Sequence, residues 1–276
     1  MQVLKTKGWD DYQLLDSGDG LRLEKFGKYL ISKPDPQAIW KKSLAQEWTK
    51  TDAKFENERW NTSSNFPHKW PLTYKNLKFY AKLTPFKHTG IFPEQSINWD
   101  FIEEKTVEQS NILNLFAYTG IASLAAAAKG AKVTHVDASK PSIGWAKENQ
   151  EISELSDKPI RWILDDAIAF TSRELRRGVT YDGIIMDPPV YGHGPNGEKW
   201  DFNDSFPKLL QNCSLLLSDN PLFVIVNAYA VSASSIMLQN ILEDFLPKGN
   251  MESGELALEQ QNGRLLSTGI FARWSR

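Results

Sequence analysis

Three apolar runs of strand length in this chain end in acidic residues, which are Asp137, the pair Asp165-Asp166, and Asp187. In open α/β sheets, ligands bind at the carboxyl ends of the strands, where such residues lie. A carboxylate there can accept both hydroxyls of a ribose, or the amino group of an adenine. We therefore predict a nucleoside-binding cleft, with ribose contacts at Asp137 and adenine contacts at Asp165 or Asp166.

A single glycine marks the turn after the predicted strand Ile112 to Phe116. At Gly120 a bare backbone lets a ligand approach, and the following helix offers free amide groups. The three spaced glycines that seat a pyrophosphate are absent. This absence argues against NAD and favours a ligand without phosphates, such as S-adenosylmethionine, whose amino-acid end can lie over such a turn.

Each of these acids also has a structural alternative. Asp137 could cap the helix that is predicted to start near Pro141, although Ser139 is better placed to do so. Asp165 or Asp166 could likewise cap the helix that starts at Ala167, with one residue capping and the other binding adenine.

The motif Asp187-Pro188-Pro189 is the sharpest chemical signal in the sequence. Two prolines after a buried strand fix the backbone and leave a stiff turn whose carbonyls suit a planar, amino-bearing base. The glycine-rich segment 192–200 follows. It either orders over a bound base, with Tyr191 or Trp200 stacking and His193 or Lys199 meeting phosphate, or is only a connection.

The elements that position these residues alternate between strand and helix after residue 110. The predicted strands are 112–116, 133–137, 160–164, 183–186, 222–227, 255–259 and 267–274, and the predicted helices are 121–129, 141–153, 167–176, 205–217 and 232–245. The last two strands should form an antiparallel hairpin through Asn262-Gly263. The pattern predicts an α/β fold of the Rossmann-like type, with a seven-stranded, mostly parallel sheet between two layers of helices.

The front of the chain differs from the rest in elements and in charge. Short strand-like runs predict a small β-rich domain over residues 1–90, with 50–67 as a loop or linker, ahead of a cofactor-binding domain over 91–276. Residues 1–90 carry 16 Lys and Arg against 10 Asp and Glu, whereas 91–276 carry 16 against 24. Lys75, Lys78 and Lys82 alternate with aromatic residues, which is typical both of an RNA-facing surface and of an ordinary half-buried hairpin.

Composition narrows the class of protein. No run approaches the roughly 18 apolar residues of a membrane span, and the first residues lack the apolar segment of a secretory signal. A single cysteine, Cys213, and four histidines without metal-ligand spacing predict neither a disulfide nor a metal site. We expect a cytoplasmic protein that binds no membrane and no metal. The sequence leaves its oligomeric state open.

The chain resembles the class I S-adenosylmethionine-dependent methyltransferases, specifically the bacterial 23S ribosomal RNA large-subunit methyltransferase family. Four segments within residues 70–276 carry the resemblance: His88–Gln95, Asn114–Gly120, Val136–Ser139 and Leu265–Phe271. The resemblance implies methyl transfer to RNA, specifically ribosomal RNA, and a small front domain joined to a catalytic one. Residues 1–65 match the family's usual front domain poorly.

Together, motifs and resemblance give three sets of predicted site residues. The cofactor set is Phe92, Gln95, Asn114, Phe116, Tyr118, Thr119, Gly120, Asp137, Ala138, Ser139, Asp165, Asp166, Ala167 and Asp187. The catalytic set is Asp187, Pro188, Pro189 and Tyr191. The substrate-binding set is Lys75, Lys78, Lys82, His193 and Trp200.

The methyl acceptor is predicted by elimination. Cytosine C5 methylation in this family uses a cysteine, but the chain has Val226-Asn-Ala-Tyr229 at the corresponding place, and Cys213 lies in an apolar helix. A base nitrogen already has a lone pair and needs mainly positioning, with Asp187 or the Pro188 carbonyl polarising its proton. Val190 separates the prolines from Tyr191, unlike in many amino-methylating enzymes. The alternatives are a protein or small-molecule methyltransferase, or a non-catalytic RNA-binding module.

Overall fold

The structure is a computed structural model and describes residues 2–229 and 232–276. The chain divides into two compact units. The first, called the sheet unit, comprises Met1–Leu4, Asn98–Leu256 and Gly269–Arg276. The second, called the β-rich unit, comprises Lys5–Ile97 and Ala257–Thr268. The β-rich unit therefore extends past residue 90 and takes in a segment from near the far end of the sequence.

Strands and helices are numbered along the chain. The strands are β1 (Gln2–Lys5), β2 (Tyr12–Gly18), β3 (Leu21–Phe26), β4 (Tyr29–Pro34), β5 (Ala53–Glu56), β6 (Arg59–Thr62), β7 (Trp70–Tyr74), β8 (Leu77–Ala81), β9 (Asn111–Leu115), β10 (Lys132–Asp137), β11 (Ile160–Leu164), β12 (Gly183–Met186), β13 (Tyr191–His193), β14 (Lys199–Asp201), β15 (Phe223–Ala228), β16 (Asn250–Glu259) and β17 (Leu265–Ser275). The α-helices are α1 (Ser96–Lys105), α2 (Ile121–Ala128), α3 (Lys140–Ile152), α4 (Ala167–Arg176), α5 (Phe202–Leu215) and α6 (Ser235–Phe245), and 3-10 turns cover Glu47–Lys50 and Pro93–Gln95.

One large mixed sheet has the strand order β1-β16-β17-β15-β12-β9-β10-β11. Strands β9, β10, β11, β12 and β15 run parallel, and β17 runs antiparallel to β15. Every residue of β12 and β15 is buried, as expected for parallel strands covered on both faces. The α/β fold is confirmed. All seven predicted strands occur, and β1 adds an eighth at the edge.

Local sequence signals set the helix ends. Ser139 caps α3 by accepting from the Ser142 amide at 3.3 Å, with a proline in the first turn. Asp201 caps α5 by accepting from the Asn203 amide at 3.0 Å. Helix α1 was not predicted, because only scattered members such as Trp99 and Ile102 are apolar and buried.

The β-rich unit contains a sheet of order β2-β3-β4-β5-β6 and a separate hairpin, β7-β8. The prediction of a loop or linker over residues 50–67 was wrong, since β5 and β6 form an antiparallel hairpin there. Its two-residue turn is Asn57-Glu58, with φ of 49° and 60°. Positive φ at both positions is the geometry of a type I′ turn, in which glycine usually marks the second residue. A glutamate at that position hid the hairpin.

A hydrophobic core on one face of the large sheet packs β12 and β15 against α4, α5 and α6. Its buried members include Met186, Val226, Phe206 and Leu242. Cys213 on α5 belongs to this core and is 1% exposed. Within the described part of the chain, no helix combines the length and the apolar character needed to cross a membrane.

Candidate cofactor and substrate site

The loop between β9 and α2 has an unusual backbone. Phe116 and Tyr118 adopt φ of 55° and 48°, and Gly120 adopts 83°. Non-glycine residues with positive φ cost conformational energy and are frequent at ligand sites. A Cβ on Gly120 would lie 2.8 Å from the Ala146 Cβ, so only glycine lets this turn lie against α3. The loop is held in one strained shape at the carboxyl end of β9.

Asp137 holds this loop from the neighbouring strand. Its Oδ2 accepts from the Tyr118 amide at 2.8 Å, and its Oδ1 accepts from the Ser139 amide at 2.8 Å. Burial raises the pKa of this carboxyl, and the two amide hydrogen bonds only partly offset that rise. Each oxygen keeps a lone pair that a ribose hydroxyl can use. The half-buried carboxylate therefore fits a nucleoside-bearing cofactor.

A series of buried polar side chains, joined by hydrogen bonds, supports the same loop. The Asn114 Nδ2 donates to the Ser123 Oγ at 2.9 Å, and this hydroxyl lies 3.0 Å from the His135 Nδ1. Burial lowers the pKa of His135 to about 3, so its ring stays neutral. The Asn149 Nδ2 donates to the Thr119 carbonyl at 2.9 Å, a contact that sequence reasoning missed. Its only sequence signal is a polar residue on the buried side of α3.

The two acids after β11 have separate contacts. Asp166 caps α4, since its Oδ1 accepts from the Ala169 amide at 2.9 Å. Asp165 accepts from the Asp166 amide at 2.9 Å and forms an ion pair with Arg173. The Asp165 amide donates to the Asp137 carbonyl at 3.1 Å. This bond links the ends of β10 and β11.

The Asp187-Pro188-Pro189 turn follows β12, next to the β9 loop. Pro188 is buried and Pro189 is exposed. The Pro189 carbonyl accepts from the Trp200 Nε1 at 2.6 Å. Pro189 therefore contacts the structured segment that follows it.

That glycine-rich segment contains an antiparallel hairpin, β13-β14, in which His193 pairs with Lys199. Trp200 is 5% exposed, and its ring centroid lies 4.8 Å from that of Phe116. Tyr191 is 73% exposed. The buried indole joins the hairpin to the β9 loop, and Tyr191 is the aromatic ring that remains available for stacking on a base.

The remaining predicted residues lie in the β-rich unit. Phe92 directly precedes the 3-10 turn Pro93–Gln95, and Gln95 is the last residue of that turn. Lys75 lies in the turn of the β7-β8 hairpin, Lys78 lies on its exposed side, and Lys82 follows it. The opposite side of the hairpin buries Leu72, Tyr74 and Phe79, among others. Among the described residues, no group of three or more His, Cys, Asp or Glu side chains could hold a metal ion.

Comparison with known proteins gives the family. A model of the family described as S-adenosylmethionine-dependent methyltransferase matches residues 31–244. The crystal structure of a SAM-dependent methyltransferase from Agrobacterium tumefaciens is 40% identical, with a TM-score of 0.96 over 100% of this chain and 93% of that chain. A SAM-dependent methyltransferase structure from Streptococcus mutans has a TM-score of 0.74 over 96% of this chain and 75% of that chain, at 19% identity, and shows the fold alone.

Among curated proteins, ribosomal RNA large subunit methyltransferase K/L from Pseudoalteromonas atlantica is 30% identical over 181 residues. The match covers 62% of this chain and 25% of that protein. The chain thus spans a fifth to a quarter of the length of the curated relatives that it matches.

Proposed function

Because this chain belongs to the S-adenosylmethionine-dependent methyltransferase family, we propose that it methylates a nitrogen of a base in RNA, and specifically in ribosomal RNA. The observation that carries the proposal is the Asp187-Pro188-Pro189 turn at the end of β12, on the strand next to the cofactor loop. An RNA substrate of this kind would be met in the cytoplasm.

The cofactor supplies an electrophilic methyl group when it is bound. We assign its ribose to Asp137 and its amino-acid end to the loop of Thr119 and Gly120, whose shape is held as described above. Phe92 and Gln95 are further proposed contacts. Asp166 caps α4, so we assign the adenine amino group to the neighbouring turn around Asp165 and Ala167.

The acceptor nitrogen must lie in line with that methyl group. We assign its orientation to Asp187 and to the Pro188 carbonyl, which accept hydrogen bonds from the nitrogen. As the new N–C bond forms and the S–C bond to the methyl group breaks, the proton of the nitrogen passes to the Asp187 carboxylate. Tyr191, exposed on the β13-β14 hairpin, is proposed to stack on the base. His193, exposed on the same hairpin, is proposed to meet a phosphate.

The residues of the chain argue against a cysteine-dependent route to C5 of cytosine. Its one cysteine, Cys213, lies on α5 and is buried in the core, and burial raises the pKa of its thiol. Burial therefore disfavours the thiolate that this chemistry requires. A nitrogen acceptor needs no such nucleophile.

The β7-β8 hairpin is the proposed RNA-binding surface. Lys75 and Lys78 are exposed on it, and Phe86 is 78% exposed in the turn that follows. Lysines neutralise phosphates, and an exposed aromatic ring can stack on an unpaired base. The surface therefore suits a single-stranded or looped RNA segment.

Charge reversal on this hairpin should separate an RNA substrate from a small molecule. We expect K75E/K78E/K82E to weaken RNA binding by about ten-fold or more and to lower the salt slope of log K by about 2 to 3. S-adenosylmethionine affinity should stay unchanged. Filter binding across a salt series measures RNA affinity and its salt slope, and calorimetry measures S-adenosylmethionine affinity.

The matched control reverses Lys129, Lys132 and Lys158, which lie at or before the amino ends of β10 and β11, away from the cleft. Equal loss of RNA binding in both triple variants would contradict a specific surface on the hairpin. Undiminished activity of K75E/K78E/K82E would favour a protein or small-molecule substrate.

A further inference from the structure

The carboxyl end of β15 carries a buried amide that lies outside the residues assigned above. Asn227 is 4% exposed and follows Val226, whose register partner on β12 is Met186. Met186 and Val226 both pack into the core on one face of the sheet. Because side chains alternate along a strand, Asn227 points to the opposite face. Asp187 and Asn227 are the residues that directly follow this last register pair on the two neighbouring strands.

Helix α1 fixes the orientation of this amide. The Asn98 Nδ2 donates to the Asn227 Oδ1 at 2.8 Å, and Asn98 is 2% exposed. A hydrogen bond between two buried side chains is not exchanged for one with water. Since the oxygen of Asn227 is engaged, its NH₂ group is directed away from Asn98. Among the described residues, this bond through its oxygen is the side-chain hydrogen bond that the structure records for Asn227.

The Asn227 Nδ2 is not among the fully enclosed polar atoms of the described residues that lack a partner, so a ligand at this strand end can reach it and accept its hydrogen bond. Here the donor lies at the sheet edge where substrate is expected, beside the residue proposed to accept from the substrate. On the Watson–Crick edge of every RNA base, an acceptor atom lies next to an N–H or NH₂ group. A donor and an acceptor side by side match that edge.

We propose that the Asn227 NH₂ group donates a hydrogen bond to the acceptor atom next to the methylated nitrogen of the substrate base. This assignment rests on the proposed function. Asp187 accepts from the nitrogen while Asn227 holds the neighbouring atom, so the base cannot turn in its plane. Tyr229, two residues further and 41% exposed, provides an aromatic face at the same strand end.

The expected effect is on kcat, because two hydrogen bonds define an in-line geometry that one bond leaves loose. Asn227→Asp has nearly the same shape and keeps an oxygen for Asn98, but it has no N–H to donate. We expect N227D to lower kcat by about 10- to 100-fold. KM for RNA should change little, because lysine contacts to phosphate hold most of the RNA.

The matched control is Asn212→Asp on α5. The Asn212 Nδ2 donates to the Thr171 Oγ1 at 3.0 Å and to the Ser172 Oγ at 3.1 Å, between two helices. N212D should keep kcat within about two-fold of the parent protein. Asn98→Ala, which leaves Asn227 intact but frees its amide to rotate, should give an intermediate loss and tests the proposal if N227D does not fold. Calorimetry should show unchanged S-adenosylmethionine affinity in each variant.

The outcomes separate the two proposals. If the parent protein methylates RNA and N227D or N98A matches N212D, the role of Asn227 is refuted while the proposed function stands. If the parent protein binds S-adenosylmethionine but transfers no methyl group to RNA, the proposed function fails, and the role of Asn227 with it. A selective loss of kcat in N227D and N98A supports both.

Discussion

Replacing Asp187 by alanine is expected to lower the rate of methyl transfer by about 10²- to 10⁴-fold. Asp187 follows a fully buried strand and precedes two prolines that fix its backbone. Its carboxylate can accept from the acceptor nitrogen and take up charge as the N–C bond forms. Asp187→Asn should lower this rate less, because the asparagine oxygen still accepts a hydrogen bond. That bond is weaker because the asparagine carries no charge.

The test is a single-turnover assay with methyl-labelled S-adenosylmethionine, alongside cofactor affinity by calorimetry. Asp182→Asn is the matched control, since Asp182 directly precedes the same strand at its other end. There it accepts from the Asn111 amide at 2.8 Å and from the Ser218 hydroxyl at 2.7 Å. A rate for D187A within two-fold of D182N would remove Asp187 from the chemistry.

The largest expected effect on stability is at Glu24 in the β-rich unit. Glu24 is 0% exposed, and its Oε1 accepts from the Tyr12 hydroxyl at 2.9 Å. Its Oε2 lies 2.9 Å from the Lys33 Nζ and 3.3 Å from the Arg22 Nε. Arg22 also pairs with Asp35 at 3.6 Å. Three strands thus converge on one buried carboxylate.

Burial by itself would raise the pKa of Glu24, but the charges of Arg22 and Lys33 and the hydrogen bonds from Lys33 and Tyr12 lower it below its usual value. Removing one partner of a buried charge group leaves the others uncompensated. Glu24→Gln is therefore expected to lower the free energy of unfolding at neutral pH by about 3–5 kcal/mol.

The pH dependence has a definite sign. Because the pKa of Glu24 is lower in the folded state, its stabilisation is fully present above the unfolded value near 4.5 and is lost as pH falls through the folded value. Urea unfolding should show the difference between E24Q and the parent protein narrowing in acid. Glu56→Gln, at an exposed pair with Lys54, is the control and should change little. A constant difference from pH 7 to pH 3 would contradict this account of Glu24.

The parallel strands of the sheet unit could be predicted from the sequence. Buried strands such as β12 and β15 contain short continuous apolar runs, and each run ends at a polar residue. Asp137 could be located for the same reason, since it is the last residue of β10. The amino-acid composition of each short segment is enough to predict these strands and the position of Asp137.

What the sequence does not reveal depends on distant contacts. Asn98 and Asn227 are 129 residues apart, and neither has a local motif. Trp200 is an aromatic residue in a polar, glycine-rich segment, and the composition of that segment predicts stacking on substrate. In the structure its ring packs against Phe116. Segment 257–268 belongs to the β-rich unit only because the chain returns to it. These features follow from tertiary packing rather than from periodicity.

The most direct test of the central claim is the identity of the methylated product. Purified protein would be incubated with methyl-labelled S-adenosylmethionine and total RNA from a strain lacking the gene, and the RNA digested to nucleosides. We predict label on a nitrogen of one base, within ribosomal RNA, and its loss with D187A. Label on C5 of cytosine would contradict the nitrogen acceptor, and unlabelled RNA with a protein that binds the cofactor would contradict RNA methylation itself.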